Sequence, residues 1–157
     1  MPLVEVAETI AAPVQRVWEV VNDVESYPRL MEHVLSLRVV ERGENYRLLE
    51  WKVELKGCLM RWIEREDLQP DRYRIEYRQL EGELAEFEGF WQLEPLTDST
   101  TLVALSVRFE IGIPMLSEML NPVAERAIRD NSRAMLLSLA TEAAPDAAKK
   151  ESVQEQP

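Results

Sequence analysis

Two glutamates stand two residues apart in the segment CLMRWIERE, residues 58–66. If this segment is a strand, Met60, Trp62, Glu64 and Glu66 share one face, because side chains alternate along a strand. A buried carboxyl group with a raised pKa can act as a general acid or base. The candidate catalytic residues are therefore Glu64, Glu66 and Arg78, which is their expected partner on the next strand. The alternative is that all three charges lie at a solvated sheet edge.

Two further polar residues are candidates for contact with a ligand. His33, the single histidine of the chain, is the one side chain whose ordinary pKa lies near neutrality, although a plain surface histidine is the alternative. Asn131 interrupts an apolar helix face, so it can reach into a cavity and bond a ligand oxygen. It can equally contact the sheet backbone or cap a kink.

Aromatic residues are spread over several candidate strands, and they indicate a pocket for a flat or elongated apolar ligand. By alternation, most of them fall on one concave face, and the alternative is that they only fill a core. The candidate ligand-binding aromatic residues on these strands are Trp51, Trp62, Tyr73, Tyr77, Phe87 and Trp91.

Composition excludes several classes of function. One histidine and one cysteine, Cys58, leave too few ligands for a zinc site and no internal disulfide, so no metal is expected. Neither GxGxxG nor GxxxxGK[ST] is present, so no nucleotide cofactor is expected. The net charge of −11 disfavours nucleic acid and anionic membrane surfaces. No segment has the apolar length of a membrane span or the pattern of a secretory signal, so the expected compartment is the cytoplasm.

The periodicity of the chain predicts the elements that must hold these residues. Residues 3–11 read as a strand, and an apolar helix face follows with valines and a tryptophan at steps of three and four. From His33 to Ile111 the period is two, in segments separated by short turns, which indicates an antiparallel sheet with one apolar face. That face begins with Leu35, Leu37 and Val39. After Ile113 a long amphipathic helix follows.

The order of these elements predicts an α+β helix-grip fold. A curved, seven-stranded antiparallel sheet wraps around a long C-terminal helix, with two short helices after the first strand, and the curvature leaves room for a cavity. Residues 1–142 form one ligand-binding domain. Residues 143–157 are small, charged and poor in large apolar groups, which is typical of a disordered tail.

The segments VWEVVNDVESYPRL, EGELAEFEGFWQLEPL and RDNSRAML resemble the helix-grip superfamily of START and Bet v 1 domains. The resemblance is nearest to its polyketide cyclase/dehydrase and coenzyme Q-binding branch, and it runs from about Val4 to Leu139. This resemblance implies the helix-grip fold. It also implies either ring formation or the carriage of an apolar molecule.

The resemblance also assigns positions, and this chain departs from it at two of them. The aromatase/cyclases of the branch have an arginine four residues after such a tryptophan, and here that position is Glu66. Their tyrosine after the aromatic-proline pair is matched by Val34, beside His33, whereas Arg78 matches a second arginine. Pro28 disfavours the αR conformation at Tyr27, so the chain is expected to break there. Tyr27 then either shapes the turn or gates the pocket.

Three functions follow from these expectations. The first is a polyketide aromatase/cyclase that folds a poly-ketone chain, with an acyl carrier protein docking on Arg126, Arg129 and Arg133. The second is a non-catalytic carrier of an isoprenoid quinone, lipid or other apolar molecule. The third is a ribosome-associated interaction protein, which the acidic charge disfavours.

Overall fold

The computed structural model describes residues 1–144, and the predicted fold is confirmed. Seven strands and three α-helices follow one another, with short 3₁₀ turns at Val24–Ser26 and Pro70–Arg72. In chain order the elements are β1 (Leu3–Ile10), α1 (Val14–Asn22), α2 (Tyr27–Leu30), β2 (Val34–Arg42), β3 (Tyr46–Leu55), β4 (Cys58–Gln69), β5 (Arg74–Gly82), β6 (Glu86–Thr97), β7 (Thr100–Glu110) and α3 (Pro114–Ala143). The expected tail begins inside this last helix, and residues 145–157 lie outside the described residues.

The sheet is antiparallel throughout, in the order β1-β7-β6-β5-β4-β3-β2. Short turns join consecutive strands from β2 to β7, and β1 pairs with β7 at the far side. Irregularities interrupt the β2–β3 register near Val34 and Val39 and the β4–β5 register after Ile63. Bulges of this kind increase local twist and bend a strand.

The C-terminal part of α3 closes the concave face. Ile128, Met135, Leu136 and Leu139 are buried there, together with apolar residues of the sheet and of α1. The N-terminal part is different, because Met115 and Met119 are 82% and 72% exposed. Pro122 lies inside the helix and has no N–H to donate, so the helical hydrogen-bond pattern is interrupted between the two parts. The sheet and the first part of α3 therefore leave an opening between them.

The conformation at Tyr27 differs from the expectation. Tyr27 has φ −56° and ψ −43°, which is αR, and it begins α2, so the expected break between the two short helices lies earlier, after Asn22. Pro28 follows in the first turn, where a missing N–H costs no hydrogen bond. The Tyr27 side chain is buried, and its hydroxyl donates to the carbonyl of Val21 at the end of α1. Tyr27 thus shapes the connection between the helices, which was one of its two predicted roles.

Candidate active site

A cavity of about 470 Å³ lies between the concave face of the sheet and α3. Its size is within the range of small-molecule sites. Its wall on the sheet side contains Trp51, Val53, Met60, Trp62, Glu64, Tyr77, Phe87, Trp91, Leu105, Val107 and Phe109, and on the helix side Leu120, Val123, Ala124, Ala127, Ile128, Asn131, Ser132 and Met135.

Aromatic rings form a continuous part of this wall. Trp51 and Trp62, which are paired across β3 and β4, stack with ring centroids 5.6 Å apart and an interplanar angle of 10°. Phe87 follows at 5.4 Å from Trp62, and Tyr77 at 6.0 Å from Phe87. Flat, polarisable faces of this kind suit a planar or conjugated apolar ligand.

Glu64 is the buried acidic group on this wall, and it is 3% exposed, whereas Glu83, which also borders the cavity, is exposed to solvent. The indole Nε1–H of Trp62 donates a hydrogen bond to its Oε1 at 2.9 Å. Burial raises the pKa of Glu64 well above its usual range, and the negative charge of Glu66 raises it further, against the opposing effect of the Trp62 hydrogen bond. Glu64 therefore holds its proton more tightly than an exposed glutamate does.

Glu66 is buried beside Glu64 but does not border the cavity. It forms an ion pair with Arg47, its register partner on β3, with 2.7 Å between Arg47 Nε and Glu66 Oε1. Arg47 Nη1 also donates to the carbonyl of Asn22, at the end of α1. Through Arg47, Glu66 on β4 is therefore linked to β3 and to the end of α1.

Arg47 was missing from the residues predicted for the site. Its signal was present in the alternation of β3, where Arg47 shares the parity of Leu49, Trp51 and Val53, all of them buried. A charged residue on an otherwise apolar strand face predicts a buried partner.

Asn131 lies across the cavity on α3. Its Nδ2 lies 3.7 Å from the sulfur of Met135, and its Oδ1 is buried without a hydrogen-bond partner within the described residues. A buried amide oxygen without a partner is costly, and a donor on a bound ligand would satisfy it.

Besides Glu66, four predicted site residues do not border the cavity: Arg78, Tyr73, His33 and Tyr27. Arg78 is exposed on the opposite face of β5, because it follows the inward-facing Tyr77 by one residue. Tyr73 packs edge-on against Trp18 of α1, with 5.7 Å between the ring centroids, and it is not among the residues that line the cavity. His33 is half-buried just before β2, and burial lowers its pKa.

Tyr27 lies behind the wall and does not border the cavity. Its ring contacts Trp51 at 5.8 Å between centroids. Burial raises its pKa, and so does the charge of Glu66. Tyr27 thus packs against Trp51, a residue of the wall, without lining the cavity itself.

Neither a metal centre nor a membrane segment is found in the part of the chain that the structure describes. Within residues 1–144 no group of three or more His, Cys, Asp or Glu side chains is arranged to hold a metal ion. None of the helices described is long and apolar enough to cross a membrane.

Known proteins with similar sequences and structures carry the same fold. An aromatase/cyclase from Streptomyces sp. R1128 superposes with a TM-score of 0.80 and 30% identity, over 90% of this chain and 93% of that one. The actinorhodin polyketide synthase bifunctional cyclase/dehydratase of Streptomyces coelicolor is 29% identical over 70% of this chain, which spans 36% of that relative's length.

A third relative is named for a different role. The ribosome association toxin RatA of Pseudomonas aeruginosa is 26% identical over 73% of this chain and 79% of its own length. The model of a family described as polyketide cyclase / dehydrase and lipid transport matches residues 10–136. The chain therefore belongs to the polyketide cyclase / dehydrase and lipid transport family.

Proposed function

We propose that this protein is a polyketide aromatase/cyclase, which binds a poly-ketone or aromatic intermediate in its cavity and promotes ring closure and dehydration. The observation that carries the proposal is the buried Glu64 carboxyl on an aromatic cavity wall, with its pKa well above the usual range. A site that served only to hold a lipid would not need an acid there.

The chemistry of ring closure matches these groups. A carbon–carbon bond forms between an enol carbon and a ketone carbon of the same chain, with the electron pair of the enol C=C bond. The enol oxygen loses its proton as it becomes a ketone, and the oxygen of the attacked ketone takes up a proton to become a hydroxyl. Dehydration then removes that hydroxyl with a proton, as water, and a neighbouring carbon loses a proton. Glu64 can supply the proton at the oxygen and regain one at the end.

The cavity supplies the second contribution, which is orientation. A chain held between the stacked Trp51–Trp62 pair and α3 can adopt few conformations. Orientation of this kind can by itself remove a large part of the activation barrier of an intrinsically reactive chain. The unpartnered Oδ1 of Asn131 can accept a hydrogen bond from an enol or phenol hydroxyl of the ligand. Glu64 and Asn131 lie on opposite walls, on the sheet and on α3, so they can bind two oxygens of one ligand.

An acyl carrier protein is the partner that would deliver such a chain. Arg126, Arg129 and Arg133 follow one another at helical spacing on α3, and Arg126 and Arg133 are exposed. Arg129 also donates to the backbone of Glu5 at 3.4 Å, so it is the least available of the three. The overall charge of −11 makes this local basic group the place where an acidic partner would bind.

A non-catalytic carrier of a quinone, lipid or similar molecule is the second candidate. It is favoured by Glu66, which occupies the position where the aromatase/cyclases have an arginine, and which here is neutralised by Arg47. A carrier returns its ligand unchanged, whereas a cyclase alters it.

Identification of the bound molecule is the first test of the proposal. Native mass spectrometry of the freshly purified protein, followed by denaturation, would release any ligand for analysis. We expect a polyketide-like or aromatic polyol species. An isoprenoid or acyl lipid would contradict the cyclase and support the carrier.

A further inference from the structure

The two buried carboxyl groups of β4 have different surroundings. Glu66 is paired with Arg47 at 2.7 Å, and both side chains are at most 3% exposed. Glu64 accepts a hydrogen bond from Trp62 and borders the cavity. Within residues 1–144, Arg47 is the buried basic side chain, so one cation serves two buried acids.

We infer that Arg47 is a positioning residue that decides which of the two acids carries the proton. It holds Glu66 as the carboxylate, and the proton of the pair remains on Glu64, which faces the cavity. This inference rests on the proposed function and adds to it the group that keeps the acid ready.

Electrostatics in a buried site requires such a division. Two carboxylates on adjacent inward positions of one strand repel each other strongly when solvent is excluded, so the pair retains a proton. A buried guanidinium needs a carboxylate partner. Because Arg47 lies directly opposite Glu66 and diagonally from Glu64, Glu66 becomes that partner.

The other ionisable groups around the pair do not change this balance. Tyr77 from β5 and Tyr27 from α2 are buried, and burial raises the pKa of both phenols, so they are neutral. Asp23 and Glu88, whose charges also act on these tyrosines, are both exposed to solvent. The hydrogen bond from Arg47 to the Asn22 carbonyl fixes the guanidinium at the end of α1.

Infrared spectroscopy tests the inference on the ligand-free protein at neutral pH, through the carbonyl band of a protonated carboxylic acid. We expect one such band in the wild type. Trp62→Phe should shift its frequency, because Trp62 donates to Oε1 of Glu64. Glu66→Gln, which is nearly isosteric, should abolish the band, because Glu64 then becomes the carboxylate partner of Arg47.

Substitution of Arg47 gives the second part of the test. Arg47→Gln should add a second protonated band, because Glu66 loses its cation, and Arg47→Lys should restore the single band. If the Arg47→Gln variant does not fold, the loss or persistence of the band in Glu66→Gln decides whether the inference stands. The absence of a band in the wild type, an unshifted band in Trp62→Phe, or a band that persists in Glu66→Gln would overturn the inference.

The result is independent of the reaction itself. If the protein shows the single Glu64 band but leaves a poly-ketone substrate unaltered, the role of Arg47 stands and the cyclase function is rejected. If the protein converts the substrate but shows no such band, the cyclase function stands and the role of Arg47 is rejected.

Discussion

Trp62 donates its indole N–H to Oε1 of Glu64 at 2.9 Å, from two residues earlier on the same face of β4. The same ring stacks on Trp51, so its position is fixed from a second direction. The acid of the candidate site is therefore oriented by a residue that also forms the ligand-facing wall.

Trp62→Phe separates these two roles, because phenylalanine keeps an aromatic ring and removes the N–H donor. We expect ring-closing turnover to fall by about tenfold, because the loss of one hydrogen bond costs about 1.4 kcal/mol. Ligand affinity should change less, because the aromatic ring remains. Steady-state kinetics with a poly-ketone substrate measures both. Trp18→Phe, outside the cavity wall, is the control, and an equal effect of the two substitutions would contradict the assigned role.

Glu64→Gln should change how stability depends on pH. The pKa of Glu64 is raised above its unfolded value of about 4.5, so the folded state binds more protons above that pH. Its contribution to stability is complete at acid pH and is lost as the pH rises from about 4.5 towards the folded pKa. Denaturant unfolding at several pH values should therefore show that the free energy of unfolding of the variant increases relative to that of the wild type as the pH rises.

Glu50→Gln is the control with the opposite sign. A hydrogen bond from Arg38 lowers the pKa of this partly buried carboxylate, so its contribution to stability is present above the unfolded pKa and is lost as the pH falls through the folded pKa. Parallel pH profiles for Glu64→Gln and the wild type would contradict the raised pKa.

The Arg47–Glu66 pair should show strong coupling in a double-mutant cycle. Arg47→Met and Glu66→Leu should each lower the free energy of unfolding, by up to about 3–5 kcal/mol, because each breaks a buried ion pair: without Arg47 the buried Glu66 must take up a proton, and without Glu66 the buried Arg47 must pair with the more distant Glu64. The double variant should recover most of that loss, since neither charge remains. Urea unfolding measures all four proteins, and additive losses would indicate that the pair is not buried together.

Gly89→Ala should destabilise the sheet behind the cavity wall. A Cβ at Gly89 would overlap the carbonyl oxygen of Ser106 and lie 2.7 Å from the Tyr77 hydroxyl, which donates to that carbonyl. Because backbone cannot move aside easily, we expect a loss of about 2 kcal/mol on thermal or denaturant unfolding. Gly43→Ala is the control, because its Cβ would meet only the movable side chain of Tyr46. Equal losses of stability in Gly89→Ala and Gly43→Ala would contradict the explanation by overlap with the backbone.

Lys56 and Asp130 form an ion pair of 3.0 Å between the β3–β4 turn and α3, next to cavity residues. Both side chains are more than half exposed, so the pair contributes little to stability. We expect Lys56→Gln to speed the release of an apolar fluorescent probe about two- to threefold, in line with the small energy of such pairs, with no change in unfolding. Stopped-flow fluorescence at low salt measures this, with Lys52→Gln as control, and unchanged release would exclude a role of the pair in exchange.

The regular alternation of the strands was sufficient to predict the fold, because six segments with short turns have few antiparallel arrangements. Local irregularities were not predictable in the same way. Leu35 was expected on the apolar face, but it is 47% exposed and Val34 is buried, because the register shifts between Val34 and Ser36. A bulge depends on the neighbouring strand, which a single segment does not reveal.

For the candidate site, strand parity correctly brought Trp62, Glu64 and Glu66 to one face. It could not assign their different roles, since these depend on Arg47 from a neighbouring strand and on the end of α1. The same parity argument placed Tyr73 with Tyr77, but Tyr73 precedes β5 and has φ of 50°, so alternation does not apply to it.

The central claim is that this cavity converts its ligand and that Glu64 supplies the proton. The most direct measurement compares the products of a poly-ketone-forming synthase in the presence of wild-type protein, of Glu64→Gln and of no added protein. We predict that the wild type shifts the products towards one ring pattern, and that Glu64→Gln binds the chain but leaves the products close to those of the synthase alone. Products unchanged by the wild type, or a Glu64→Gln variant as active as the wild type, would contradict the claim.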